Sequence, residues 1–277
     1  MGRWMSNIPV WVNGAPQDHL SVSDRGLAYG DGLFETVRVS NGKPTLAGYH
    51  WSRLQRSCER LGIVLDVAQL LEEVDAFLSG NQASAGVLKV IVTRGSGGRG
   101  YNPEGCLSSS RILSLHSLPV RQRDPGLFGA RVKACQTCLG RSSLAGLKHL
   151  NRLEQVLARS EWQGGAYDEG LLCDYEGILV EGTMSNLFIV THQGDLVTPD
   201  LSFSGVAGVC REFIIEFARS RGIIVKEQLV SDLDVAEIFL CNSVNGVWPV
   251  VEYEGRVWEI GPITTLIRDC VLEELNA

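Results

Sequence analysis

The sequence predicts an α+β protein built from two mixed α/β domains. Three observations carry that expectation. The chain has 277 residues, against roughly 150 for one typical domain. Segments that alternate like strands recur among segments with helical spacing along its whole length. A polar stretch ending in Pro-Gly, Val120-Arg121-Gln122-Arg123-Asp124-Pro125-Gly126, interrupts them near the middle. The expected organisation is a smaller domain over 1–119, a linker over 120–126 and a larger domain over 127–277.

The elements follow in order. Residues 33–39 alternate as a strand with one buried face, Asn41-Gly42 makes a tight turn, and 43–46 return. At 49–61 the spacing becomes helical, with Trp51, Leu54, Cys58 and Leu61 on one stripe and Gly62 ending it. A second helix fits 67–78. Strands follow at 87–93 and 111–118, joined by a glycine-rich loop expected to be flexible. In the second half, strands are expected near 130–136, 169–173, 178–180 and 186–190, and then at 223–229, 237–241 and 248–258. Helices are expected over 152–162, 209–221 and 263–275. Tyr175-Glu176-Gly177 and Gln193-Gly194-Asp195 are hairpin turns.

Composition removes several functional classes. Lys plus Arg number 25 and Asp plus Glu 32, a net charge of −7, and an acidic chain without a basic run is poorly suited to nucleic acid. No stretch nears the ~18 apolar residues of a membrane span. Asn7, Pro9 and Asn13 interrupt what a signal peptide needs as an unbroken apolar core. Eight scattered cysteines in a chain of this size point to reduced thiols and the cytoplasm.

Some motifs dissolve on inspection. Gly95-Ser96-Gly97-Gly98-Arg99-Gly100 matches G-x-G-x-x-G, but Tyr101-Asn102-Pro103 follows where a dinucleotide site needs a helix. Cys135-Gln136-Thr137-Cys138 has no second ligand pair and sits at the end of a strand, so it reads as two ordinary thiols. The five histidines show no metal spacing, and no metal is expected.

Three features remain. Asn151 and Glu154 are spaced as a capping box, which puts Lys148 on the apolar approach to a helix, where desolvation favours a neutral amine. Glu181 lies in a polar kink between apolar strands. Gly205-Val206-Ala207-Gly208-Val209-Cys210-Arg211 is a small-residue turn opening a helix, suited to a phosphate. An amine, a carboxylate and a phosphate-binding helix start are the fixtures that pyridoxal phosphate requires.

These residues resemble the fold-type IV pyridoxal-phosphate enzymes. The resemblance runs from Val12-Asn13-Gly14 to the closing helix. It includes Ser23-Asp24-Arg25-Gly26, Tyr29-Gly30-Asp31-Gly32, His50-Trp51-Ser52-Arg53-Leu54, Lys148, Glu181 with Ser185-Asn186-Leu187-Phe188, and Gly208-Val209-Cys210-Arg211. Lys148-His149-Leu150-Asn151-Arg152-Leu153-Glu154-Gln155 and the loop 93–101 are most similar to the lyase branch, the aminodeoxychorismate lyases. The resemblance implies two domains with pyridoxal 5'-phosphate in the cleft between them, a homodimer, and a small dicarboxylate substrate.

By position, Lys148 would link to the cofactor's aldehyde and then move protons, while Glu181 pairs with the ring nitrogen. Arg53 would bind the phosphate with Gly208, Val209, Cys210, Asn242 and Ser243, and Asn186 completes the cofactor set. Arg99, Arg94, Arg25 and Tyr29 are the substrate candidates, with Arg25 alternatively paired to its neighbour Asp24. Leu153 stands where aminotransferases of the family carry Tyr, which counts against the alternative, a transaminase for D- or branched-chain amino acids. Cys210 is expected to be open to oxidation.

Overall fold

The computed structural model describes residues 8–277. Asn7 of the signal-peptide argument, and the start of the expected first domain, lie outside those residues. The chain divides into two compact units. The first comprises Met1–Pro119 with Lys148–Asn151 and Asn276–Ala277, and the second comprises Val120–Leu147 with Arg152–Leu275.

The first unit contains β1 (Val10–Val12), β2 (Ala15–Pro16), α1 (Arg25–Tyr29), β3 (Gly32–Ser40), β4 (Lys43–Pro44), α2 (Ala47–Leu61), α3 (Val67–Gly80), β5 (Ala85–Thr93) and β6 (Ser110–His116). Its strands form one six-stranded antiparallel sheet in the order β2-β1-β6-β5-β3-β4. The alternation at 33–39 is realised in β3, where Leu33, Val37 and Val39 are buried. Asn41 and Gly42 both take positive φ, 51° and 79°, as a two-residue hairpin of this twist demands. α2 lies against β3 and α3 against β6.

The second unit contains α4 (Pro125–Phe128), β7 (Ala130–Leu139), α5 (Leu153–Ser160), β8 (Glu169–Asp174), β9 (Leu179–Gly182), β10 (Asn186–Val190), β11 (Leu196–Pro199) and α6 (Val209–Ser220). β12 (Val225–Gln228), β13 (Glu237–Asn242), β14 (Gly246–Tyr253), β15 (Arg256–Val257) and α7 (Pro262–Asn276) follow, the last residue of α7 counting with the first unit. A nine-stranded sheet runs β12-β11-β10-β13-β14-β7-β8-β9, with β15 on β14, and a further pairing of β9 with β10 closes the path into a ring. The closing pair is Glu181 opposite Asn186. Ala130, Val132, Leu171, Leu187, Ile238, Leu240 and Trp248 form the largest part of its core.

Several expectations give way here. The expected strand over 248–258 breaks at Glu254-Gly255, both at positive φ. The segment over 120–126 includes the start of α4, which Asp124 caps through the Gly126 N–H at 2.8 Å. The C-x-x-C pair lies at the end of its strand as expected, but the strand runs further than 130–136. β7 continues to Leu139 across a bulge between Ala134 and Cys138, and Glu161 fills the bulge by accepting from the Gln136 and Thr137 N–H groups at 2.8 and 2.9 Å. Among the described residues, no helix is long and apolar enough to cross a membrane.

Candidate active site

β3 directs odd-numbered side chains into the core, and Glu35 takes one of those positions at 1% exposure. α2 supplies its partners from one face, three residues apart. Arg53 Nε donates to Glu35 Oε1 at 2.8 Å, a terminal Arg53 nitrogen donates to Oε2, and His50 Nδ1 lies 2.6 Å from Oε2. Burial alone would raise the Glu35 carboxyl, but the Arg53 guanidinium and the His50 ring outweigh it and bring it down to about 2. Burial lowers His50, favouring the neutral ring. With Nδ1–H given to Glu35, the lone pair sits on Nε2, which is buried and has no partner among the described residues.

Lys148 is fixed on the same unit. The Phe34 N–H donates to Lys148 O and the Leu150 N–H to Gly32 O, each at 3.0 Å, so residues 148–150 line the start of β3. Its Nζ stands 4.4 Å from the centroid of the Phe34 ring. The expected capping box does not form. Arg152 occupies the N-cap of α5 and its side chain makes no capping hydrogen bond, while the Asn151 amide donates to Gly30 O at 3.3 Å. Asn151 is held with the first unit, so it cannot cap α5.

In the second unit, Glu181 is not in a kink. It is a buried member of β9, directly opposite Asn186 of β10. The two side chains grip one residue from both sides, for Glu181 Oε2 accepts the Val206 N–H at 2.7 Å and the Asn186 amide donates to Val206 O at 2.8 Å. Gln155 Nε2 reaches Glu181 Oε1 at 3.4 Å. Gly205, at φ +83°, is required here, since a Cβ would meet Leu201 and Val180 at 2.9 Å and Glu181 Oε2 at 3.1 Å. The turn delivers Gly208 as N-cap of α6, with no side-chain cap on the first N–H groups, those of Val209 and Cys210 included. A Cβ on Gly208 would fall 1.9 Å from Asn186 Oδ1.

Three cofactor candidates have side chains engaged with the protein itself. Asn186 commits one amide N–H to Val206 O at 2.8 Å. The Asn242 side chain is committed to its own turn, accepting from Val244 N and Asn245 N at 3.0 and 2.8 Å. The Cys210 thiol hydrogen-bonds to Cys241 in full burial, and both effects raise its pKa well above the usual thiol range, which overturns the expected oxidation site.

The arginines separate as well. Arg94 is bidentate on Asp31 (2.7 and 2.9 Å) and also donates to Gly62 O and Leu61 O at 2.7 and 2.9 Å. Arg25 pairs with Asp31 at 2.8 Å and not with Asp24, which is buried and instead accepts from Thr93, Ser110 and the Gly26 N–H. Tyr29 packs beneath the Arg25 guanidinium, 4.8 Å to its centroid. Arg99 is exposed in the glycine loop.

Sequence reasoning missed two supporting carboxylates. Glu35 was legible as an acid on the inward parity of a strand. Glu169 was not, because its partners come from beyond the next hairpin: Thr183 Oγ1, Ser185 Oγ at 2.9 Å and the Met184 N–H at 3.3 Å fix the turn between Glu181 and Asn186. Burial raises the Glu169 carboxyl although these donors oppose it.

Comparison with known proteins now fits this frame. A family described as amino-transferase class IV matches residues 32–253. The chain belongs to that family. The aminodeoxychorismate lyase of Vibrio harveyi is 36% identical over 244 residues, 87% of this chain and 89% of that protein. The crystal structure of 4-amino-4-deoxychorismate lyase from Pseudomonas aeruginosa superposes with a TM-score of 0.92 at 46% identity, covering 97% of this chain and 100% of that one. The branched-chain amino acid aminotransferase of Escherichia coli shares the fold at a TM-score of 0.85 and 24% identity, over 96% of this chain and 93% of that one.

Proposed function

We propose that this class IV family member is an aminodeoxychorismate lyase, converting 4-amino-4-deoxychorismate to 4-aminobenzoate and pyruvate with pyridoxal 5'-phosphate. The observation that carries the reading is the 46% identity to the Pseudomonas aeruginosa lyase across the whole of that chain.

The residues fit the cofactor on six counts. Lys148 offers an amine, Glu181 a buried carboxylate for a protonated ring nitrogen, and α6 an uncapped N-terminus for a phosphate. Gly208 keeps that approach open, since any Cβ there collides with Asn186. Arg53 adds a cation held in place by Glu35, and His50 Nε2 is a buried acceptor still lacking a donor. When bound, pyridoxal phosphate supplies an electron sink for the pair left behind when a proton leaves the adjacent carbon.

The protein's own part is proton handling and positioning. Lys148, freed by the substrate's amine, takes the proton from the amine-bearing carbon. The C–O bond to the enolpyruvyl group breaks, its electron pair leaves on oxygen, and the resulting enolate gains a proton on carbon to become pyruvate. The ring left behind is aromatic, which drives the reaction forward. The Val206 N–H, already directed at Glu181 Oε2, fixes the orientation of that carboxylate.

The test supplies 4-amino-4-deoxychorismate without a keto acid and follows both products. Equal amounts of 4-aminobenzoate and pyruvate are expected. Amine transfer that waits for an added keto acid would make the protein a transaminase instead.

A homodimer belongs to the same reading. Leu153, Val156 and Leu157 form an exposed apolar stripe on α5, at 76%, 61% and 59% exposure. Light scattering is expected to give twice the chain mass, and Leu157→Glu to shift it towards the monomer. An unshifted mass would remove α5 from the contact.

A further inference from the structure

The loop over 95–102 has glycines at 95, 97, 98 and 100, which give it little rigidity of its own. It is nevertheless tied down, and one residue does most of the tying. The Arg25 backbone N–H donates to Gly95 O at 2.9 Å, where the loop begins. Its guanidinium, on a residue only 4% exposed, donates to Gly100 O, Tyr101 O and Asn102 O at 2.9, 3.1 and 3.5 Å, where the loop ends. Tyr29 and Tyr101 meet with ring centroids 5.4 Å apart, the first of them under the same guanidinium.

Asp31 holds this arrangement together. It accepts from Arg25 Nε and from both sides of Arg94, and Arg94 carries the connection on to the last carbonyls of α2, where a cation also suits the helix dipole. The side-chain hydrogen bond to Asp31 raises Arg25 further, so the guanidinium stays charged. With a carboxylate and three carbonyls on it, Arg25 has no two-pronged face left for a substrate carboxylate.

We propose that Arg25 is a positioning residue, which acts on substrate through the 95–102 loop by setting where Arg99 stands, with Asp31 as the anchor of the cluster. The identity of the substrate rests on the lyase reading, whereas the ordering of the loop does not. A direct substrate contact for Arg25 or Arg94 is replaced by this indirect one, and Arg99 becomes the carboxylate-binding side chain.

The experiment compares the wild-type holoenzyme with Arg25→Lys and Asp31→Asn. A lysine ammonium donates from a single point and cannot span Asp31 and three carbonyls. Trypsin cleavage of the Arg99–Gly100 bond, mapped by mass spectrometry, is expected to run about tenfold faster in both variants, with far-UV circular dichroism unchanged. KM is expected to rise about tenfold while kcat stays within about threefold. If Arg25→Lys does not fold, Asp31→Asn makes the same comparison with both guanidinium groups present. Unchanged cleavage in a folded variant overturns the proposal, as does faster cleavage with an unaltered KM. Wild-type enzyme that does not turn the substrate over defeats the lyase reading alone, and the cleavage rates then decide the question of the loop.

Discussion

Lys148→Ala is expected to lower turnover of 4-amino-4-deoxychorismate by at least about a thousandfold, because the proposed reaction uses this one amine as both nucleophile and proton carrier. The fold is expected to survive. The backbone bonds that join residues 148–150 to β3 do not use the side chain, and the contact with Phe34 that would be lost is worth only about 0.5–1 kcal/mol. Lys148→Arg separates chemistry from charge. It keeps a cation over the Phe34 ring, but a guanidinium does not give up its proton near neutral pH and so cannot act as a base. Both variants are therefore expected to be inactive, with melting temperatures close to that of the wild type. Activity above about a tenth of the wild type in either variant would end the assignment of Lys148.

What the sequence made legible follows from which interactions are local. β3, α2, α3, α6 and α7 carry their own periodicity and emerge within two residues of the expected bounds. β2 and α1 are too short to show a period. The bulge in β7 depends on Glu161, more than twenty residues away, and the placement of Glu181 in β9 depends on a turn held by Glu169. No local pattern records those partners. The arginines teach the same lesson about the site. Three of them were visible as candidate anion binders, but only the position of Asp31 reveals that Arg25 and Arg94 are already taken. Glu35 was the avoidable omission, since a carboxylate at an inward strand position requires a buried partner, and His50 and Arg53 lay one helix away.

Glu35→Gln is expected to destabilise the protein by about 3–5 kcal/mol, the typical cost of leaving one member of a buried ion pair without its counter-charge. For a chain of this size that is a fall in melting temperature of roughly 10 °C. The sign of the pH dependence follows from the direction of each shift. The Glu35 carboxyl stands at about 2 in the folded state against an ordinary 4.5, so its contribution, about 3 kcal/mol, is complete above 4.5 and fades as the pH falls towards 2. His50 is also lowered, from 6.5. Its contribution begins to fade at higher pH than that of Glu35, as the unfolded chain takes up a proton that the folded ring refuses. Wild-type protein is thus expected to lose stability in two stages on acidification, and Glu35→Gln to lack the lower stage. Removing the whole pair, Glu35→Leu with Arg53→Met, is expected to cost less than the two single changes added together, because neither charge is then left buried alone. Strict additivity in denaturant melts would mean that the two side chains are not coupled. The contact between α2 and β3 would then hold Arg53 without help from Glu35.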